Sequence, residues 1–199
     1  MEAFRDIQPP RLLLGSGSPR RRELLQAMGL TFEVVRPEVD ETYPSHLQGH
    51  QITDYLAALK AEALNPAREA GTVLLTADTI VWHQGRVLEK PASAEEAQLA
   101  LEQLSGHWHE VITSVCFRTQ GESVTTHAIT RVKFAPLELD VISEYVASGQ
   151  PMDKAGAYGI QEWIGLVGVE AIDGSYTNVV GLPTHLVYKT LKTLAKRGF

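Results

Sequence analysis

The sequence predicts an α/β protein in which helices flank a mixed, twisted sheet. Short apolar runs bounded by turn residues alternate with segments of helical apolar spacing along the whole chain. No internal repeat, low-complexity tract or long Ser/Gly or Pro-rich linker separates independent domains. A length of 199 residues allows one large domain or two lobes that share a core, and we expect a single domain over residues 1–199.

The first half of the chain is predicted to contain strands followed by helices. Residues 11–14 form a short apolar strand, residues 15–18 a Gly/Ser loop, and residues 19–28 a helix that Gly29 ends. The next helix has apolar residues from Ile52 to Ala63 and stops at Asn65 and Pro66. The same reasoning predicts strands over residues 32–35, 73–82 and 87–88, and a helix over residues 94–104.

The second half begins with a predicted antiparallel hairpin, residues 110–118 and 124–134, around Gln120 and Gly121. A helix over residues 139–147 follows. The apolar run 163–172 is predicted to be a strand, and the Gly-rich segments 156–161 and 174–183 are predicted to be turns. A final helix over residues 183–196 turns four apolar side chains inward: Leu186, Val187, Leu191 and Leu194.

Composition excludes several classes of protein. The chain is 44% apolar and 21% charged, which is ordinary for a globular protein and excludes disorder and a disulfide scaffold. The formal net charge of −6 argues against nucleic acid polymers and anionic membranes as partners. No apolar stretch approaches the roughly 20 residues that a bilayer requires, and residues 1–10 lack a secretory signal, so we expect a cytoplasmic protein. The single cysteine, Cys116, reads as a small core residue.

Three consecutive arginines open the first predicted helix. Ser18 suits the N-cap and Pro19 the first helical position, so residues 20–22 lie in the first turn. Cations at this end oppose the helix dipole by about 0.3–1 kcal/mol each. A bound anion reverses that sign, since free N–H groups, serine hydroxyls and guanidinium groups together bind phosphate. The alternative is a solvated basic helix start that pairs with surface acids.

Asp78 is an acid within an otherwise apolar predicted strand. Such a carboxylate is costly to bury unless it meets a cation or several donors. Its partner is either a divalent metal beside phosphates or a salt bridge to Lys60 or Lys90. Lys60 borders the buried stripe of its helix, so it either reaches into a cleft or lays its stem over the core. The acids of residues 38–41, taken alone, read as a solvated turn.

Eight segments together resemble the Maf family of nucleoside triphosphate pyrophosphatases. They are LLGSGSPRR (13–21), VDE (39–41), KA (60–61), ADTIV (77–81), EKP (89–91), LSG (104–106), AGAYGIQ (155–161) and GSY to VVGLP (174–183). They occur in the family's order and span residues 12 to 195. The resemblance implies a two-lobed fold of the inosine-triphosphatase-like type, with a nucleotide groove between the lobes, and a homodimer.

The resemblance also implies roles for individual residues. The phosphates would be held by Ser16, Arg20 and Arg21, and the base would lie near Gln161. Lys60 and Lys90 would add positive charge around the reacting group. Asp78 and Glu41 would hold a divalent metal, Mg²⁺ or Mn²⁺, or activate the water that attacks the α-phosphate of the nucleoside triphosphate and releases pyrophosphate.

Segment 156–161 resembles the group of the family that prefers dTTP and UTP. The first alternative is the related group that prefers 7-methyl-GTP. Two positions depart from the family pattern: Gly15 stands where Ala or another small residue is usual, and Glu162 stands where Gly often follows the Gln. Two other readings stay open, an acceptor-dependent nucleotidyltransferase and a nucleotide-binding regulator of septum formation that does not hydrolyse its ligand.

Overall fold

The computed structural model describes residues 6–64 and 70–199, and within them it confirms the mixed α/β class. The strands of this part of the chain are β1 (Arg11–Gly15), β2 (Glu33–Val35), β3 (Thr72–His83), β4 (Arg86–Leu88), β5 (Trp108–Arg118), β6 (Ser123–Phe134) and β7 (Val169–Asp173). The helices are α1 (Pro19–Ala27), α2 (His50–Leu64), α3 (Ala94–Leu104), α4 (Leu139–Ala147), α5 (Trp163–Gly168), α6 (Tyr176–Val180) and α7 (Thr184–Arg197). The predicted helix stop at Asn65 and Pro66 lies outside the described residues.

The seven described strands form one mixed sheet in the order β2-β1-β3-β5-β6-β7, and β4 pairs with β3. β1 runs parallel to both β2 and β3, with Leu13 opposite Leu74. β4 is antiparallel to β3, and β7 is antiparallel to β6 with an irregular register at Lys133 and Phe134. β5 and β6 are neighbours joined by a tight turn, at the place where the hairpin was predicted.

Contacts divide the chain into two compact units. The first comprises residues 1–78, 113–128 and 181–199, and the second residues 79–112 and 129–180. β3, β5 and β6 each contribute residues to both. A single domain over the whole chain stays a prediction.

In the first unit, the parallel strands are covered on both faces. Leu12 and Leu14 of β1 pack in one cluster with Leu25 of α1 and Leu191 of α7, whereas Leu13 packs in a second cluster with α2. Alternate residues of a strand point to opposite faces of the sheet. Consecutive apolar residues are therefore typical of a strand that is buried on both faces. Cys116 lies in the second of these clusters, as predicted.

The second unit has its own core, in which α3 and α4 pack with residues of β5, β6 and α5. A buried histidine lies in this unit, with the Nε2 atom of His109 2.7 Å from the hydroxyl of Tyr158. The imidazole stacks on Phe134 at a ring distance of 5.7 Å. Burial, with a smaller contribution from His83, lowers the pKa of His109 to about 3, so its imidazole is neutral at physiological pH.

The run 163–172 is not one strand, and this prediction was wrong for its first half. Residues Trp163–Gly168 form α5, and only Val169–Asp173 form β7. Gly165 lies directly against the backbone of Ile160, where a Cβ atom would come within 2.0 Å of the carbonyl oxygen. An apolar run without alternation does not distinguish a helix from a strand. The two buried residues of α5, Ile164 and Gly168, lie four residues apart, which is the spacing of one helix face.

The segment 174–183 also contains more than the predicted turn, because Tyr176–Val180 form α6. The amide of Asn178 donates to the carbonyl of Val111 at 2.9 Å and to the hydroxyl of Thr130 at 3.0 Å. The hydroxyl of Ser175 accepts from the backbone N–H of Asn178. These contacts with distant residues stabilise a short helix that its own sequence does not predict.

None of the helices in the described part of the chain is long and apolar enough to cross a membrane.

Candidate active site

The loop after β1 and the start of α1 adopt the predicted geometry. Ser18 is the N-cap of α1, and its hydroxyl accepts from the backbone N–H of Arg21 at 3.4 Å. Pro19 occupies the first helical position. The hydroxyl of Ser16 accepts from the backbone N–H of Ser18 at 3.2 Å, which folds the loop tightly. The first turn of α1 contains arginines and no acidic residue, so its own sequence does not compensate the positive end of the helix dipole.

Arg21 connects this loop to the middle of β3. Its Nη1 atom donates to the hydroxyl of Ser16 at 3.2 Å and to the carbonyl of Ala77 at 3.0 Å, and its Nε donates to the carbonyl of Gly181 at 2.9 Å. Ala77 directly precedes Asp78 in β3. Arg21 therefore fixes the position of the Gly/Ser loop relative to the residue before the buried carboxylate.

Three charged side chains change the pKa of Arg21: Arg20, Glu41 and Asp78. Burial lowers the pKa of its guanidinium most strongly, and the carboxylate of Asp78 raises it. Arg20 lowers that pKa again, and Glu41 raises it. Arg20, Asp78 and Glu41 thus all lie within electrostatic reach of Arg21.

Lys60 is the centre of a buried ion cluster. Its Nζ atom lies 2.6 Å from Asp78 Oδ1 and 3.0 Å from Glu41 Oε1. Lys60 and Asp78 are only 6% and 5% exposed, whereas about half of the Glu41 side chain is exposed. The salt bridge between Lys60 and Asp78, one of the two partners considered for the carboxylate, is thus present. Glu41, whose segment alone suggested a solvated turn, reaches the same ammonium group.

The second unit carries the two other predicted residues. Lys90 is exposed between β4 and α3, and it lines an open depression with Glu89, Glu96 and Gln103. Gln161 is also exposed, and it directly precedes Glu162 before α5. The roles of Lys90 and Gln161 toward a nucleotide stay predictions.

A polar network beside Gln161 was not predicted from the sequence. The Nζ atom of the buried Lys154 donates to Glu162 Oε1 at 2.8 Å and to the carbonyl of Gln150 at 2.6 Å. The hydroxyl of Tyr145 donates to Glu162 Oε2 and accepts from the backbone N–H of Gly159 at 3.2 Å. Burial, followed by Glu162, raises the pKa of Tyr145.

Gly159 passes so close to this network that a Cβ atom there would lie 2.8 Å from Cδ of Glu162. Glu162, one of the two departures from the family pattern, therefore braces the segment that ends at Gln161. The acid at position 162 was the one signal in the sequence for this network, because a carboxylate that becomes buried needs a hydrogen-bond or ionic partner.

Gly15, the other departure, is required by its neighbours. A Cβ atom at this position would lie 2.6 Å from Cγ2 of Thr76 and 2.7 Å from Cδ1 of Leu64. The hydroxyl of Thr76 donates to the carbonyl of Ala57 at 2.6 Å, which holds this side chain in place. Larger neighbours thus fill the space that a methyl group would need.

Sequence and fold comparisons show which known proteins this chain resembles. A family model described as Maf-like protein matches residues 11–194. A protein of Flavobacterium johnsoniae named dTTP/UTP pyrophosphatase is 46% identical over 92% of this chain and 95% of its own. A Bacteroides fragilis protein with the same name is 49% identical over 92% of this chain and 96% of its own. The Staphylococcus aureus Ham1 protein has a similar fold, with a TM-score of 0.51 and 14% identity over 92% of this chain and 99% of its own.

Proposed function

The chain belongs to the Maf family, and we propose that it hydrolyses dTTP and UTP to the nucleoside monophosphate and pyrophosphate. The observation that carries the proposal is the buried Lys60 ammonium group between Asp78 and Glu41. It lies in the same unit as the loop that Arg21 fixes. Relatives at 46–49% identity that are named for this activity support the choice of substrate.

The two carboxylates suit a divalent metal of the hard class. One oxygen of each carboxylate lies within 3.0 Å of Lys60 Nζ, so the two carboxylates lie beside each other. Mg²⁺ and Mn²⁺ bind in this way, through one or two carboxylates together with substrate phosphates. We propose that Asp78 and Glu41 hold the ion, which when bound neutralises charge on the triphosphate and polarises the attacking water.

The other steps of the proposed reaction are assigned to individual side chains. Lys60 holds the two carboxylates close together, and its positive charge stabilises the negative charge that develops around the α-phosphate in the transition state. Asp78 accepts the proton of the attacking water. Ser16, Arg20 and Arg21 bind the phosphates. Arg21 also holds the Ser16 loop in position.

The first test is a product analysis with purified protein and Mg²⁺ or Mn²⁺. We expect dTTP and UTP to yield monophosphate and pyrophosphate, and CTP, ATP, GTP and 7-methyl-GTP to react more slowly. A preference for 7-methyl-GTP would keep the reaction but contradict the proposed substrate. Triphosphates that stay intact without an acceptor would contradict hydrolysis itself.

Variants test the individual roles. Asp78→Asn should lower kcat by about 10²–10⁴, the contribution of a general base. Arg20→Ala should mainly raise KM, since it removes a phosphate contact. Lys133→Met is a matched control, because it removes a partly exposed cation that pairs with Glu170 outside this cluster, and it should leave both constants unchanged. An active Asp78→Asn protein would refute the role of that carboxylate.

Lys90 and Gln161 are also proposed to act on the nucleotide. Gln161→Ala should change the ratio of kcat/KM between dTTP and a purine nucleotide, because Gln161 is proposed to contact the base. Lys90→Ala should lower kcat/KM for every nucleotide by a similar factor, since it is proposed to contribute charge alone. The opposite pattern would exchange the two assignments.

A further inference from the structure

Two histidines and an aspartate form a cluster in the first unit, separate from the residues of the proposed reaction. His50 is the first residue of α2, Asp54 lies one turn later on the same face, and His127 projects from β6. One ligand atom from each of the three lies within 4.8 Å of the other two. Among residues 6–64 and 70–199, no other group of three His, Cys, Asp or Glu side chains has such a geometry.

The carboxylate of the cluster is held in a fixed orientation. The hydroxyl of the buried Ser114 donates to Asp54 Oδ1 at 2.6 Å. That hydroxyl also lies 2.6 Å from the hydroxyl of Thr53, which in turn donates to the carbonyl of His50 at 3.1 Å. Ser114 and Thr53 are both fully buried. A carboxylate ligand of a metal ion carries supporting hydrogen bonds of this kind.

The two imidazoles lie together at the open side of the cluster. The ring centroids of His50 and His127 are 4.3 Å apart, with 25° between the ring planes. Nδ1 of His127 lies 3.2 Å from Asp54 Oδ2. About a third of the side chains of Asp54 and His127 is exposed, and His50 is exposed, so an ion can enter from solvent. A hydrogen bond from His127 to Asp54 accounts for that pair alone, whereas it leaves the stacked His50 unexplained.

We propose that His50, Asp54 and His127 bind a late first-row divalent metal ion such as Zn²⁺. Two imidazole nitrogens and one carboxylate oxygen are the ligands of several three-residue zinc sites, in which water takes the fourth position. Imidazole nitrogens discriminate against Mg²⁺, so this site differs in chemistry from the carboxylates of Asp78 and Glu41. The ion links the first turn of α2 to β6 within the first unit.

The test is a titration with Co²⁺, whose visible absorption reports its coordination, in the presence of excess Mg²⁺. We expect one equivalent of Co²⁺ to bind and Zn²⁺ to displace it. His50→Gln and His127→Gln should each weaken binding at least tenfold. Ser114→Ala should weaken it about 10–100-fold through the orientation of Asp54. His185→Gln changes an exposed histidine of α7 and is the matched control, which should bind like the parent.

A measurement without variants provides a second criterion. The imidazole ¹⁵N resonances of His50 and His127 should shift on addition of one equivalent of Zn²⁺, while that of His185 stays in place. The proposal is overturned if no saturable Co²⁺ site exists, if the two glutamine variants bind like the parent, or if the resonances of other histidines shift instead.

Discussion

Replacement of Lys60 by methionine removes the ammonium group that lies 2.6 Å from Asp78 Oδ1. Methionine has a similar length and fills the same space, so the change isolates the charge. Asp78 is 5% exposed and then retains a buried carboxylate without its ammonium partner. Breaking a buried pair by removing one member costs about 3–5 kcal/mol. We expect Lys60→Met to lose this amount of stability at neutral pH.

The other half of the pair should respond less strongly. Asp78→Asn leaves Lys60 in contact with Glu41 at 3.0 Å, and the asparagine oxygen still accepts a hydrogen bond. We expect a loss of about 1–3 kcal/mol. The double variant Lys60→Met/Asp78→Asn contains no unpaired charge at Asp78, so it should be more stable than the sum of the two single losses predicts. The difference is the coupling energy of the pair.

The assay is urea unfolding of the parent, the two single variants and the double variant at one pH, with the free energy extrapolated to water. Lys133→Met is the control for an exposed pair, because Lys133 contacts Glu170 at 3.0 Å where both side chains are partly exposed. It should cost no more than about 1 kcal/mol. Equal losses for Lys60→Met and Lys133→Met, or a coupling energy of zero, would refute the reasoning.

Three further predictions concern positions outside the ion cluster. The pKa of His109 is lowered to about 3, so between pH 6.5 and 3 the unfolded chain binds a proton that the folded chain does not, and stability falls as the pH falls. The loss should reach about 2 kcal/mol at pH 5 in urea unfolding, and His109→Gln should lack this dependence; parallel curves for the two proteins would contradict it. Glu162→Gln removes the charge that Lys154 and Tyr145 contact, and we expect a several-fold rise in KM for dTTP at nearly constant kcat, whereas an unchanged KM would separate this network from the substrate. Gly15→Ala should lower the free energy of unfolding by about 1–3 kcal/mol because its methyl group overpacks the core, and a melting temperature equal to that of the parent would show that the neighbours yield.

Local patterns in the sequence determined most of the secondary structure and the start of the candidate site. Helices α3 and α4 have the predicted bounds, because apolar spacing and glycine stops define them locally. The N-cap at Ser18 and the arginines behind it follow from adjacent residues alone. The choice between a metal and a lysine as the partner of Asp78 was open in the sequence, since it depends on residues distant along the chain.

The tertiary structure decided the features that depend on such distant contacts. Residues 163–168 form a helix that buries Ile164 and Gly168 on one face, which an apolar run without alternation does not predict. α6 exists because Asn178 finds partners on β5 and β6. The contact of Glu41 with Lys60, the Glu162 network and the cluster of His50, Asp54 and His127 likewise join residues that are separated in sequence. Sequence periodicity reports which face of an element is buried, whereas the partner that a buried polar group meets is fixed only when the elements pack.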